Sequence, residues 1–271
     1  MIAVLPFRGE FGLKLRYHVP AVAALPRPVA VCVEEGEEAL FPGTEHMIVK
    51  RKDDDFRRRD LTAKDDAVFL DQCRDELEVR YPGCRILTVD RSRNWAEKRF
   101  VPTPFVDYGL SADVVIGPRE RTYQPSKNWG HWRELAGRLR GAGFRVMAAG
   151  VADSSDTSVG QVCPVTWTWP RPLDATLGLI QRAKLVVSTD AGLAHLAVLC
   201  GTPLLMISHA EGIVAPGEDR PGHSWWPIRL EEYYHAANHT GSRIDVVHHA
   251  WFDVQVTVDA VLERLGRVAV A

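Results

Sequence analysis

The sequence predicts an α/β protein built on parallel, helix-covered sheets, and three observations carry that prediction. Unbroken apolar runs such as VAVCV at Val29–Val33 and DVVIG at Asp113–Gly117 have strand length without alternation, as expected of strands covered on both faces. Other segments have a helical period, the clearest being Trp132, Leu135, Ala136 and Leu139 at i, i+3, i+4 and i+7. From residue 113 onward the two kinds alternate, which implies βαβ crossovers and a Rossmann-like sheet.

Taken in order, Ile2–Pro6 is a β-rich apolar run that enters a glycine turn at Arg8–Gly12, and a helix-compatible stretch with Pro20 inside it covers Leu13–Leu25. After the strand Val29–Val33, the run KRKDDDFRRRDLTAKDD at Lys50–Asp66 mixes both signs of charge and reads as a solvated loop. Its Asp53–Asp55 triplet is read as solvated rather than as a metal site. Val68–Arg80 has a helical face, Arg85–Val89 reads as a strand, and Asn94–Tyr108 is a proline-broken connector.

In the second half, Trp129 lies near a helix start, and Gly141 and Gly143 end that helix. The strand Phe144–Ala149 follows, then the polar turns of Gly150–Gly160, a helix at Asp174–Ala183, a strand at Lys184–Ser188, a helix at Gly192–Cys200 and a strand at Pro203–Ser208. Gly217–His249, rich in Trp, Tyr, His, Gly and Pro, shows no period and reads as a long ordered loop. Val256–Val268 closes the chain as an amphipathic helix. The chain divides into two domains, residues 1–108 and 109–271, each long enough to bury a core.

A formal charge of −2 excludes a global field for polyanions, so no general nucleic-acid binding is expected. Five scattered cysteines without a CxxC pair argue against a disulfide framework or zinc site and fit a cytoplasmic protein. No run reaches the ~20 apolar residues of a spanning helix, and the N-terminus has no signal-peptide pattern.

Ligands of open α/β sheets bind at the carboxyl ends of strands. There the sequence places Ser188–Ala197, STDAGLAHLA: a strand, the acidic turn residue Asp190, then Ala191 and Gly192 opening a helix whose free amides suit a phosphate. One turn in, His195 can donate to a phosphate oxygen while Asp190 accepts from a sugar hydroxyl. Read singly, Asp190 is a helix cap and His195 a packed surface histidine.

The whole string STDAGLAHLAVLCGTPLLMI resembles the DTGxxHLAxxxGxP segment of ADP-heptose heptosyltransferases, a glycosyltransferase family 9-like group with the GT-B fold of two Rossmann-like domains. The resemblance covers about residues 113–208 and departs at Ala191, where the group has threonine. It implies a donor domain in the second half, with IGPRERTYQPSKNWGHWRELAGRL supplying Lys127 toward the donor pyrophosphate and Thr122 beside it, assisted by Arg119 and Arg121. Asp153 falls where the group holds the nucleotide ribose; alone it reads equally as a turn residue. The first half becomes a reduced acceptor domain, and the last helix is expected to pack on it.

At the N-terminus PFRGEFGLKL resembles the glycine turn that opens such enzymes, but Leu13 or Lys14 stands where the group has its catalytic aspartate. Glu10, the nearest carboxylate, is the candidate general base and His18 the reserve. The implied reaction is inverting and metal-independent transfer from a nucleotide-diphosphate sugar, with no cofactor. The acceptor is left open among saccharide, glycolipid and modified nucleobase, with Trp225, Trp226, Tyr233 and Tyr234 available for stacking. Two alternatives stand beside it: a non-catalytic nucleotide-sugar or glycan-binding module, and a nucleotide-sugar epimerase of the same fold. A dehydrogenase is disfavoured because no GxGxxG follows the first strand.

Overall fold

The computed structural model describes residues 1–7, 14–49, 63–89, 108–120, 128–167, 173–208, 240–247 and 253–266, with the side chains of residue 16 and residues 63–66 outside that description. The chain forms two compact units, Met1–Pro104 and Phe105–Ala271. Both are built on parallel sheets.

The first unit contains β1 (Ile2–Val4), α1 (Val19–Ala23), β2 (Val29–Glu34), β3 (Glu45–Val49), α2 (Ala63–Arg80) and β4 (Arg85–Leu87). Its strands pair in parallel in the order β3-β2-β1-β4. Ala3, Leu5, Ala30, Cys32, Met47 and Val49 meet Cys73 and Leu77 of α2 in one buried cluster. A π-helical turn at Lys14–His18 precedes α1. Pro20, at the start of α1, has no N–H to give to a carbonyl one turn back, and the wider turn lies directly upstream of that missing donor.

The second unit contains β5 (Val114–Gly117), α3 (Trp132–Gly141), β6 (Val146–Gly150), β7 (Val165–Trp167), α4 (Leu173–Arg182), β8 (Leu185–Ser188), α5 (Gly192–Cys200), β9 (Leu204–Ile207), β10 (Ile244–Val247) and α6 (Val254–Arg264). The order β10-β9-β8-β5-β6-β7, parallel throughout, runs outward from β5 to β7 and then returns to the other side of β5. One face carries Val114, Ile116, Leu185, Val187 and Leu205 against Trp129, Trp132, Leu135 and Leu139 and against Val254, Val258 and Val261 of α6. On the other face α5 packs against β8, β9 and α4.

Two features depart from the sequence reading. The strands β3, β7 and β10 were not foreseen, and β10 falls inside the stretch read as a loop. The second is α2, which begins at Ala63, inside the charged run read as a loop over Lys50–Asp66; residues 50–62 of that run, the connector at 94–107 and the aromatic stretch at 217–239 lie outside the described residues. The apolar stripe of α6 joins the second unit's core, and the Arg138 guanidinium of α3 donates to Gln255 of α6. All five cysteines are free, and no helix among the described residues is long and apolar enough to cross a membrane.

Candidate functional site

Because the chain order reverses between β5 and β8, their carboxyl ends diverge into a crevice, and that is where an open α/β sheet receives a ligand. Gly117 ends β5 and pairs with Ser188, which ends β8. A Cβ built on Gly117 would stand 2.7 Å from Leu193 Cδ2 and 2.9 Å from Ser188 Oγ. The absent side chain therefore lets the first turn of α5 settle directly over the end of β5. Ser188 turns its hydroxyl to the Thr189 carbonyl at 2.9 Å, helping to hold the chain as it leaves the sheet.

Ala191 is the N-cap of α5, in extended backbone and with no side-chain cap. The cap position is thus not Asp190, which stands one residue earlier at half-buried exposure. The first amides of an α-helix have no partner within the helix, and the macrodipole adds positive character there. Gly192, the first helical residue, leaves the backbone open to close approach. His195 is buried at 7% exposure one turn in, so it is not the surface histidine of the bland reading. At the far end of α5, Gly201 takes a left-handed conformation (φ 73°) and closes the helix. Thr240 Oγ1 donates to the Val198 carbonyl at 2.6 Å, and Thr202 Oγ1 to the Ile180 carbonyl at 2.9 Å. Held at both ends, α5 presents a fixed N-terminus.

The same edge has a built rim. Arg119 follows β5 and bridges to Ser155 after β6, while its Nη1 donates to Ser154 Oγ at 2.9 Å. The Glu120 amide donates to the Ser154 carbonyl at 2.9 Å and the Asp156 amide to the Pro118 carbonyl at 2.8 Å. Asp153, exposed in the 3₁₀ turn Ala152–Ser154, stands on this rim. Asp153, Asp190, Ala191, Gly192 and His195 all come to the carboxyl edge of one sheet. Thr122 and Lys127 lie outside the described residues. The arrangement can hold an anion on backbone amides and hydroxyl groups on carboxylates. Among the described residues no group of three or more His, Cys, Asp or Glu is placed to hold a metal ion.

In the first unit Glu10 is outside the described residues, whereas His18 is buried at 1% exposure. Its ring stacks on Phe7 (centroids 5.7 Å apart) and meets Phe41 edge-on at 5.3 Å. Burial, with the Lys14 charge adding to it, lowers its pKa to about 3, only partly offset by the Leu5 backbone. Lys14 is buried too, its Nζ donating to Glu37 Oε2 at 2.6 Å and standing 3.6 Å from Glu34 Oε1. Sequence reasoning missed Gly117, Glu34 and Glu37. The signals were a glycine closing an apolar strand and the EEGEE run that follows VAVCV.

Residues 87–208 match the family model of glycosyltransferase family 9 (heptosyltransferase). No match is found among the curated proteins. Among solved structures, the ADP-heptose lipopolysaccharide heptosyltransferase II of E. coli is 16% identical with a TM-score of 0.53, covering 98% of this chain and 97% of its own. The E. coli heptosyltransferase WaaC with ADP is 16% identical with a TM-score of 0.55, at 98% and 99% coverage. The family 9 glycosyl transferase from Veillonella parvula is 13% identical with a TM-score of 0.55, at 98% and 89%. These likenesses span both units and show the GT-B fold.

Proposed function

We propose that this chain, a glycosyltransferase of the family 9-like type, moves a sugar from a nucleotide-diphosphate sugar to an acceptor hydroxyl, with inversion and without a metal. The observation that carries the reading is the open N-terminus of α5 at the crevice between β5 and β8. In this reading the diphosphate lies on the amides of Ala191 and Gly192, the Ala191 amide serving where relatives offer a threonine hydroxyl. His195 donates to a phosphate oxygen, Asp190 accepts from the sugar, and Asp153 takes the ribose hydroxyls. Lys127 and Thr122, from the family resemblance, complete the diphosphate contacts as the leaving group gains charge. WaaC was solved with ADP, which makes ADP the first nucleotide to try.

The test is a thermal-shift screen of the full chain against ADP, ADP-heptose and the UDP- and GDP-hexoses. A true donor at 100 times its Kd stabilises by about 2.7 kcal/mol, and Asp190→Ala or His195→Ala should weaken its affinity about tenfold. No stabilisation by any of them overturns the reading.

The acceptor, a saccharide, glycolipid or modified nucleobase, gives up its proton to a base of the first unit, and we infer a cytoplasmic setting. Glu10 is the candidate that the sequence offers, and Glu10→Gln should then abolish turnover while sparing the thermal shift. His18, sealed between two aromatic rings, is a poor proton acceptor. One observation favours the binding-module reading: Lys14, in the region of the family aspartate, is locked to Glu37. Release of nucleoside diphosphate separates the two, since a module binds the donor without consuming it.

A further inference from the structure

Three of the five cysteines, Cys32, Cys73 and Cys84, belong to the first unit's core cluster or pack against it. Cys32 lies in β2 and Cys73 in α2, at 2% and 3% exposure, and their thiols share a hydrogen bond where the helix meets the sheet. That contact first, and burial after it, push the Cys32 thiol up, so the closed structure holds little thiolate there. The helix that carries Cys73 is thinly held. From Ala67 to Arg80 only Cys73 and Leu77 are buried, Phe69 and Leu70 are half-buried, and the other side chains are exposed, Val79 at 82%. A helix with so few buried apolar side chains opens locally at a fraction of the free energy of global unfolding. The thiol pair thus stands at one of the two buried anchors of a weakly tied element. A free cysteine packs as a small apolar side chain, and alanine or valine would do that as well. Two facing thiols add what those residues lack, a bond that can form across the interface.

We propose that Cys32 and Cys73 form a redox-sensitive modification site, where a small-molecule disulfide of the oxidised glutathione class converts the two thiols to a bridge that locks α2 onto β2. In the first step α2 lifts, the Cys73 thiol loses its proton and attacks one sulfur of glutathione disulfide, and one glutathione thiolate leaves. As the helix settles again, the Cys32 thiol loses its proton and attacks the Cys73 sulfur of the mixed disulfide, and the second glutathione thiolate leaves. The two released thiolates take up the two protons. The chain gives up two electrons and two protons, and one glutathione disulfide becomes two glutathiones. The bridge joins positions 41 apart in the sequence, so it removes loop entropy from the open state as well as closing the helix down. A reducing compartment reverses it, as suits a transient, sensing bridge. The inference does not depend on the glycosyl-transfer reading.

The test is incubation of the full native chain with oxidised glutathione, followed by peptide mapping and amide hydrogen exchange. The map should show a Cys32–Cys73 bridge with the loss of two hydrogens, and dithiothreitol should restore both thiols. Exchange across α2 should slow about tenfold or more once the bridge is in place, while α5 in the second unit keeps its rate. Cys32→Ala, which keeps the packing nearly intact, should take glutathione at Cys73 and show no slowing of α2. Products limited to glutathione adducts or to bridges through Cys84 overturn the proposal, as does a Cys32–Cys73 bridge that forms only past the urea midpoint of unfolding. A native bridge that leaves α2 exchange unchanged overturns the lock, and equal slowing in oxidised Cys32→Ala does the same.

Discussion

At position 18 an imidazole whose ordinary pKa is 6.5 is held near 3, chiefly by burial among Phe7, Phe41 and the first unit's core. The folded chain keeps this ring neutral, whereas the unfolded chain protonates it below 6.5. The contribution is therefore fully present above pH 6.5 and falls as pH drops toward 3, by up to about 1.4 kcal/mol per pH unit. Asp113 behaves in the opposite chemical sense at the other edge of the second sheet. Donation from the Arg145 amide at 2.9 Å leads the causes that lower its pKa from 3.8 to about 2, with the Arg145 and Lys184 side chains adding to it. Its contribution is present above 3.8 and lost as pH falls toward 2. Because the windows differ, His18→Phe should flatten the stability curve between pH 6.5 and 4 and leave the acid limb below 4 in place. Urea denaturation at half-unit pH steps measures both, and an unaltered slope between 6.5 and 4 would remove the ring from the account.

The element that matters most is α5, and its placement depends on a residue outside it. Gly117→Ala would put a methyl 2.7 Å from Leu193 Cδ2, and because Leu193 is buried at 8% exposure and its Cβ stands only 3.4 Å away, relief by the side chain is limited and the first turn of α5 is expected to shift with it. Overpacking of this kind costs about 1–3 kcal/mol. It should also shrink the ADP-induced thermal shift, because the displaced turn carries the amides proposed to hold the diphosphate. A stable Gly117→Ala variant with the parent's ADP affinity would show that the site lies elsewhere. The helix Gly192–Cys200 was legible from sequence to the residue, because a segment apolar except for His195 is bounded by Gly192 and Gly201 and flanked by two apolar strand runs. The strands β3, β7 and β10 were not. EHMIV puts two polar residues before three apolar ones, VTW has only three residues, and IDVV sits in a stretch dominated by aromatic and polar side chains, so none gives a period of useful length. The cluster of Lys14, Glu34 and Glu37 was invisible for a different reason. Lys14 stands 23 residues before Glu37, and the parallel pairing of β1 with β2 brings the two segments together.

At the scale of the whole molecule, two units each have a buried core of their own, one around Leu5, Cys32 and Leu77 and the other around Ile116, Trp132 and Val261. The residues proposed to bind the donor, Asp153, Asp190, Ala191, Gly192 and His195, are all carried by the second unit, whereas Lys14, His18, Glu34 and Glu37 belong to the first. A ligand that binds only native second-unit structure stabilises that unit by RT ln(1 + [L]/Kd) and has no direct hold on the other. Calorimetry of the full chain should therefore resolve two unfolding transitions, of which ADP raises one. Hydrogen exchange assigns them: added ADP should slow amide exchange at Ala191–His195 and at the end of β5. The amides of β2 and β3 should keep their rates. Equal protection of both sheets, or a single transition that moves as a whole, would mean that nucleotide binding is coupled across the chain rather than confined to the second unit.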